Sequence, residues 1–297
     1  MKLNIAQRAQ VKLRLGLSGA SGFGKSYSAL LLAFGITNDW SKIAIVDTEN
    51  SSANLYANLG NFNVLSLNEP YSPERYIEAI KTCENSQIEV IIIDSITHEW
   101  SGEGGCLQIH EKLGGRFQDW AKVSPRHQAF IDAILKSPCH IITTVRRKVD
   151  YSMDTDMNGR AKVTKLGMKE ITREGFEYEL TVNFELINDK HLVKASKDRT
   201  GLFMDKPEFV INKATGKKLI AWCNEGVSIE EAKLEIKEAT TLEGLKHIYS
   251  KYSSIQQQIH PLVIERKSQL DGISNQVIKE ENIINQKNVE TNGASSK

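Results

Sequence analysis

Residues Gly19-Ala20-Ser21-Gly22-Phe23-Gly24-Lys25-Ser26 constrain the fold of this chain more than any other stretch. They satisfy the pattern G-x-x-x-x-G-K-[ST] at every fixed position. An apolar run, Leu13 to Leu17, precedes them, and Tyr27 to Phe34 follows without Pro or Gly. The order predicts a strand, a tight glycine turn and a helix N-terminus. In such a turn successive backbone N–H groups face one anion, and the helix dipole adds partial positive charge. Lys25 is placed to reach the β and γ phosphates of a nucleoside triphosphate, and the Ser26 hydroxyl to ligate Mg²⁺. Residues 19–26, with Tyr27 next to them, form the candidate phosphate-binding set.

The rest of the chain supplies the elements that such a loop needs. Lys42 to Asp47 reads as a buried strand ending in a carboxylate, and Asn63 to Leu67 as a short one. Ile88 to Asp94 is the most hydrophobic strand. Its apolarity is continuous rather than alternating, which means burial on both faces and hence a parallel sheet covered by helices. Cys139 to Val145 is the next buried strand. Ser72-Pro73 and Ser124-Pro125 each predict a helix start, with serine as N-cap and proline at the first helical position. This alternation predicts an α/β core with a mainly parallel sheet flanked by helices.

Residues 146–175 lose periodicity and read as a loop or hairpin. Phe176 to Ile187 and His191 to Ser196, joined at Asn188-Asp189, read as antiparallel strands extending the sheet edge. Phe209 to Ile211 and Lys217 to Trp222 close the compact part. Beyond Gly226 two amphipathic stretches rich in Glu and Lys predict a small helical appendage. We therefore expect a domain over 1–225, helices over 226–274 and a polar, disordered tail over 275–297.

Composition narrows the partners. With 297 residues and a formal net charge of +1, no global basic field recruits nucleic acid. No apolar run approaches a membrane span, and the first residues lack the apolar segment of a secretion signal. The four cysteines, Cys83, Cys106, Cys139 and Cys223, are scattered, which suits a reduced, cytoplasmic setting and encodes no metal site by spacing. His98 and His110 read as polar or core residues, and Trp100 and Trp120 as packing aromatics.

Around the phosphates, Asp94 ends its strand where a second Mg²⁺-organising carboxylate is expected. The next residue is Ser95 rather than a glutamate, so the group that polarises the attacking water must come from elsewhere. Glu49, at the end of the Asp47-Thr48-Glu49 strand terminus, is the first candidate, and Glu99 the second. Thr97 and His98 are candidates to face the nucleotide. Arg146-Arg147-Lys148, with Lys162, Lys165, Lys169, Arg173 and Tyr151, makes a locally basic segment interleaved with Asp150, Asp154 and Asp156. Such a segment either grips single-stranded nucleic acid or is a solvated loop.

Ile43 to Glu49 and Val90 to Ser95 resemble the strand-ending D-x-E and D-S segments of RecA-type recombinases. Tyr71 to Tyr76, Asp94 to His98, Trp100-Ser101-Gly102 and Ala195 to Phe203 extend the resemblance to the short RecA-like ATPases common in bacteriophages and prophages. The resemblance spans residues 11–222. It implies a RecA-like fold, ATP and Mg²⁺ as ligands, and Glu49 as the water-activating carboxylate. It implies a γ-phosphate sensor at Thr144, where Thr143-Thr144 replaces the usual Asn-Gln. Lys197-Asp198-Arg199 is similar to the finger that RecA-like motors insert into a neighbour's ATP site, which implies a homo-oligomeric ring or filament. It also implies single-stranded DNA and, through the C-terminal helices, phage recombination proteins as partners. ATP rather than GTP rests on this resemblance, although no guanine-reading N-K-x-D occurs. A nucleotide-gated binding or loader protein and a hexameric translocase remain as alternatives.

Overall fold

The continuous apolar run at 90–94 lies in the interior of the sheet. In the computed structural model, which describes residues 8, 11–155, 161–224, 229–252 and 255–272 and omits the side chains of 149–155 and 161–167, every residue of this strand is buried. Six strands run parallel: β1 (Arg14–Gly19), β2 (Ile43–Asp47), β3 (Asn63–Ser66), β4 (Val90–Asp94), the first half of β5 (His140–Thr155) and β7 (Val182–Leu186). With β8 (Leu192–Asp198) and β9 (Phe209–Val210) the order is β3-β2-β4-β5-β1-β7-β8-β9. Beyond its parallel half β5 runs on, pairing antiparallel with β6 (Ala161–Glu170) from Arg147↔Glu170 outward.

Alternation along the strands serves two apolar layers. Ile91, Ile93, Ile141 and Val145 pack with Tyr76, Ile80 and Cys83 of helix α2 (Pro73–Asn85) and Phe130, Ile131 and Ile134 of helix α5 (Trp120–Lys136). On the opposite face α1 (Lys25–Thr37) buries Ala29, Leu30, Leu32 and Ala33 and contacts β1, β4 and β5. Helix α6 (Lys213–Asn224) crosses α1 so closely that a Cβ at Gly216 would lie 2.3 Å from the Leu32 carbonyl oxygen, and one at Gly35 2.2 Å from that of Lys213. The buried Arg14 guanidinium donates to the carbonyls of Leu13, Leu135, Ser137 and Cys139, tying the end of α5 to β1. Burial lowers its pKa to about 10.

The two strands joined at Asn188-Asp189, β7 and β8, do pair antiparallel toward the sheet edge, while β7 pairs parallel with β1 on its other side. Several expectations need correction. Phe176–Glu179 is a 3-10 turn rather than strand; Phe176 is drawn into the core beneath α5 instead of alternating along an edge. Helix α5 starts at Trp120, five residues before Pro125, because Trp120 stacks on Trp100 and His110 and Val123 is buried. This packing outweighs the one hydrogen bond that proline removes. Helix α2 does begin at Pro73, although the Ser72 side chain makes no cap bond. The segment 146–175 is largely the β5–β6 hairpin.

The chain divides into two units, Lys12–Ile220 and a second that comprises Met1–Val11 and Ala221–Lys297. The second has its own apolar core, built by Ala232 and Ile236 of α7 (Ile229–Glu238), Leu245 of α8 (Leu242–Lys251), and Tyr252, Ile255, Ile259 and Leu270. The tail expected over 275–297 lies outside the described residues. No described helix is long and apolar enough to cross a membrane.

Candidate functional site

The C-terminal ends of β1, β2 and β4 and the middle of β5, where its parallel half ends, meet in one cleft of about 510 Å³. Its lining includes Ser21, Gly22, Gly24, Lys25, Ser26, Tyr27, Glu49, Tyr56, Asp94, Arg146 and His191. Ligands bind at strand C-termini in open α/β sheets because the helix N-termini and loops converge there. Here the turn from β1 into α1 needs left-handed backbone at Gly22 (φ 81°) and Gly24 (φ 87°), which glycine adopts without strain. At Gly24 space matters as well, since a Cβ would lie 2.8 Å from the His191 ring. That ring bonds the Phe23 carbonyl at 2.8 Å, closing the turn from above. Ala20 and Phe23 therefore contribute carbonyls, while Ser21, Gly22, Gly24 and Tyr27 line the cleft.

Lys25 is buried, and its ammonium donates to the carbonyls of Gly19 (3.1 Å) and Ala20 (2.8 Å). Desolvation lowers its pKa, opposed by the charges of Asp94 and Glu49. Those two contacts are to neutral acceptors, so a phosphate oxygen offers the ammonium a stronger, charge-assisted partner.

Asp94 is 2% exposed. Burial raises its pKa, while the Ser26 and Thr144 hydroxyls favour its ionised form. Thr144 Oγ1 donates to Oδ1, yet Oδ2 is buried without a hydrogen-bond partner. A buried carboxylate oxygen left unpaired is costly. The Ser26 hydroxyl acts on the same carboxylate, and the unpaired Oδ2 with that hydroxyl makes an all-oxygen donor set that fits Mg²⁺ held directly or through its water. The expected γ-phosphate sensor, Thr144, is fully buried with its hydroxyl on Asp94; its place here is to orient that carboxylate.

Glu49 is positioned by its own turn. Asp47 Oδ1 accepts from the Glu49 N–H at 2.7 Å, and Oδ2 from the Ala53 N–H at 2.8 Å, so Asp47 shapes the turn instead of facing the cleft. Thr48 bridges β2 to β4: its N–H donates to the Asp94 carbonyl, and its hydroxyl accepts from the Ser95 N–H. The Asp94–Ser95 peptide joining these contacts is cis. Glu49 Oε1 takes both Nε (2.9 Å) and Nη2 (2.8 Å) of Arg146. Arg146 belongs to the basic segment that reads as either a nucleic-acid grip or a solvated loop; its strand register, opposite Gly19, brings it to the phosphate loop. A one-letter reading of the basic run gives no signal for this, because the register is set across strands.

The other predicted residues lie elsewhere. Glu99 is fully buried behind β4, where it accepts from His127 Nδ1 at 3.0 Å and from the Cys106 thiol at 3.1 Å. It is not a second carboxylate of the cleft. These three side chains, remote in sequence, are the one cluster of metal-ligand type among the described residues. They satisfy one another by hydrogen bonds, and burial first, then Glu99, pushes the Cys106 thiol well up. Thr97 accepts from the Arg146 N–H, and His98 stacks on Tyr71 (4.9 Å). Neither lines the nucleotide cleft; His98 lines a smaller cleft of about 370 Å³ on the far side of Glu49 and Arg146. Lys197 and Arg199 donate to the Tyr178 carbonyl at the opposite end of the sheet, with Lys197 level with Asn183 and Gly16. They do not enter their own chain's cleft.

Of the basic segment, Arg147 pairs with Glu185 and Lys169 with Glu174. The side chains of Tyr151, Lys162 and Lys165 lie outside the described residues, as does Asp156. All four cysteines are buried, and none forms a disulfide.

A family model described as an AAA domain matches residues 11–213. No curated protein matches the chain. The matched span contains every residue of the nucleotide cleft.

Proposed function

The chain belongs to the AAA-domain family of P-loop ATPases, and from that premise we propose an Mg²⁺-dependent ATPase of RecA-like design that acts on single-stranded DNA in phage recombination, repair or replication. The observation that carries the ATPase reading is the convergence of Lys25, the unpaired Asp94 Oδ2 and Glu49 on one cleft. The loop amides and Lys25 hold the β and γ phosphates; Lys25 exchanges the carbonyls of Gly19 and Ala20 for phosphate oxygens. Mg²⁺, when bound, would supply neutralisation of the phosphate charge. Ser26 and Asp94 would hold it, and the Thr144 hydroxyl fixes Asp94 from behind. Glu49 orients water for attack in line with the leaving oxygen. The RecA-like part of the reading rests on the D-x-E and D-S strand ends. The DNA part rests on the hairpin after Arg146, and assembly into a ring or filament on Lys197 and Arg199 reaching a neighbour's nucleotide.

ATP turnover with and without single-stranded DNA, together with the mass of the assembly, tests the proposal. Lys25→Ala is expected to abolish nucleotide binding. Glu49→Gln is expected to lower turnover by roughly 10²-fold or more while binding persists. Unchanged turnover in Glu49→Gln removes that carboxylate from the role. A second reading, a nucleotide-gated binding or loader protein with little hydrolysis, is favoured by one observation: Glu49 is tied to Arg146. ATP binding without turnover, with or without DNA, would select it.

A further inference from the structure

We propose that Arg146 is a positioning residue that reads the γ phosphate by exchanging Glu49 for it. The inference rests on the ATPase reading above and adds how the site distinguishes triphosphate from diphosphate.

Arg146 holds Glu49 through two nitrogens on a single oxygen, Oε1. The two side chains are 39% and 24% exposed. A pair open to water to this degree is weakly held, since solvent screens it and both side chains give up rotamer freedom. Within the cleft the full charges are Lys25 and Arg146 against Glu49 and Asp94. A triphosphate adds more negative charge than one Mg²⁺ neutralises, so its entry leaves a cation in demand. Lys25 is already spent on the phosphates once it exchanges the Gly19 and Ala20 carbonyls for their oxygens, and with one Mg²⁺ its single charge still leaves the triphosphate negative. Arg146 is the other cation of the cleft lining, and its planar fork matches the oxygens of a terminal phosphate.

The backbone of Arg146 is fixed, while its side chain both holds Glu49 and lines the nucleotide cleft. Its N–H donates to Thr97 Oγ1 at 2.9 Å, and its carbonyl accepts from the Ile171 N–H at 2.8 Å. It sits level with Gly19, the first residue of the phosphate loop. Its guanidinium and the Glu49 carboxylate form the wall between the nucleotide cleft and the smaller one lined by Tyr71 and His98. Moving the guanidinium toward the phosphates frees Glu49 Oε1 to accept from water. Without a γ phosphate the guanidinium stays on Oε1, and a carboxylate paired with a cation is a weaker acceptor for the attacking water. The exchange thus makes the water-orienting group fully available only when there is a phosphate to attack.

The test compares the affinities of Mg²⁺-ATPγS and Mg²⁺-ADP, measured by calorimetry, in the wild type, Arg146→Gln and Arg146→Lys. The wild type is expected to prefer ATPγS by about tenfold or more, and Arg146→Gln to reduce that preference to within about twofold while ADP affinity stays within about twofold of wild type. Arg146→Lys, which keeps the charge without the fork, is expected to fall between. A residue needed only for folding would weaken both nucleotides alike, and a thermal melt of each variant identifies that case. An unchanged preference in Arg146→Gln, an equal loss for both nucleotides with an intact melt, or no preference in the wild type overturns the inference. If Arg146→Gln does not fold, the Lys variant decides: a preference equal to wild type overturns the exchange, and a reduced one supports it. Failure of the ATPase reading is separate, because it shows as absent nucleotide binding or absent turnover in the wild type.

Discussion

Asp94 and Thr144 illustrate how a side chain's role is set by what it touches. From sequence, Asp94 is legible because its apolar strand ends in a carboxylate downstream of the phosphate loop. Thr144 is legible as a position but not as a contact, since whether its hydroxyl meets phosphate or Asp94 depends on the spacing of β4 and β5. The structure gives the hydroxyl to Asp94 Oδ1. Removing it should loosen the carboxylate proposed to hold Mg²⁺. Thr144→Val is therefore expected to raise the Mg²⁺ concentration needed for half-maximal turnover by roughly tenfold, with Thr144→Ser close to wild type. A Mg²⁺ titration of ATPase activity checks it; a Val variant with the wild-type midpoint would mean that Ser26 alone orients Asp94. Glu99 shows the converse. Its sequence neighbourhood gave no sign of burial, because the partners that bury it, Cys106 and His127, come from two later helices.

At the scale of elements, α1 is held where the phosphate loop needs it by a crossing that tolerates no side chain. Gly35 and Gly216 let α1 and α6 approach backbone to backbone. Gly216→Ala places a methyl 2.3 Å from the Leu32 carbonyl oxygen, so one helix must shift. The expected cost is about 2 kcal/mol, within the range for overpacking. For a unit of this size that lowers Tm by about 4–8 °C, which calorimetry would detect. An unchanged Tm would mean that α6 adjusts freely. Elements with local signals were legible: the buried strands, the glycine turn and the proline-initiated α2. Those decided by distant partners were not. Phe176 leaves its expected strand for the core beneath α5, and Trp120 extends α5 past Pro125 through rings on α3 (Thr97–Ser101) and α4 (Cys106–Lys112).

For the molecule as a whole, the nucleotide cleft draws all its residues from the unit spanning Lys12–Ile220. The helices beyond it have a separate apolar core. A chain ending at Asn224, which keeps α6 whole, is therefore expected to bind ATPγS within about threefold of the full chain, a difference of under 1 kcal/mol. Loss of binding in that shortened chain would show that the C-terminal helices complete the site. The turn between β7 and β8 has a wider consequence. By resting His191 over Gly24 and bonding the Phe23 carbonyl, it sets the shape of the phosphate loop during folding. The loop then has little conformational entropy left to lose when a ligand arrives, and association needs no slow closure of the backbone. Capture speed at this site is governed by diffusion and charge, and selectivity is left to the side chains that face the last phosphate.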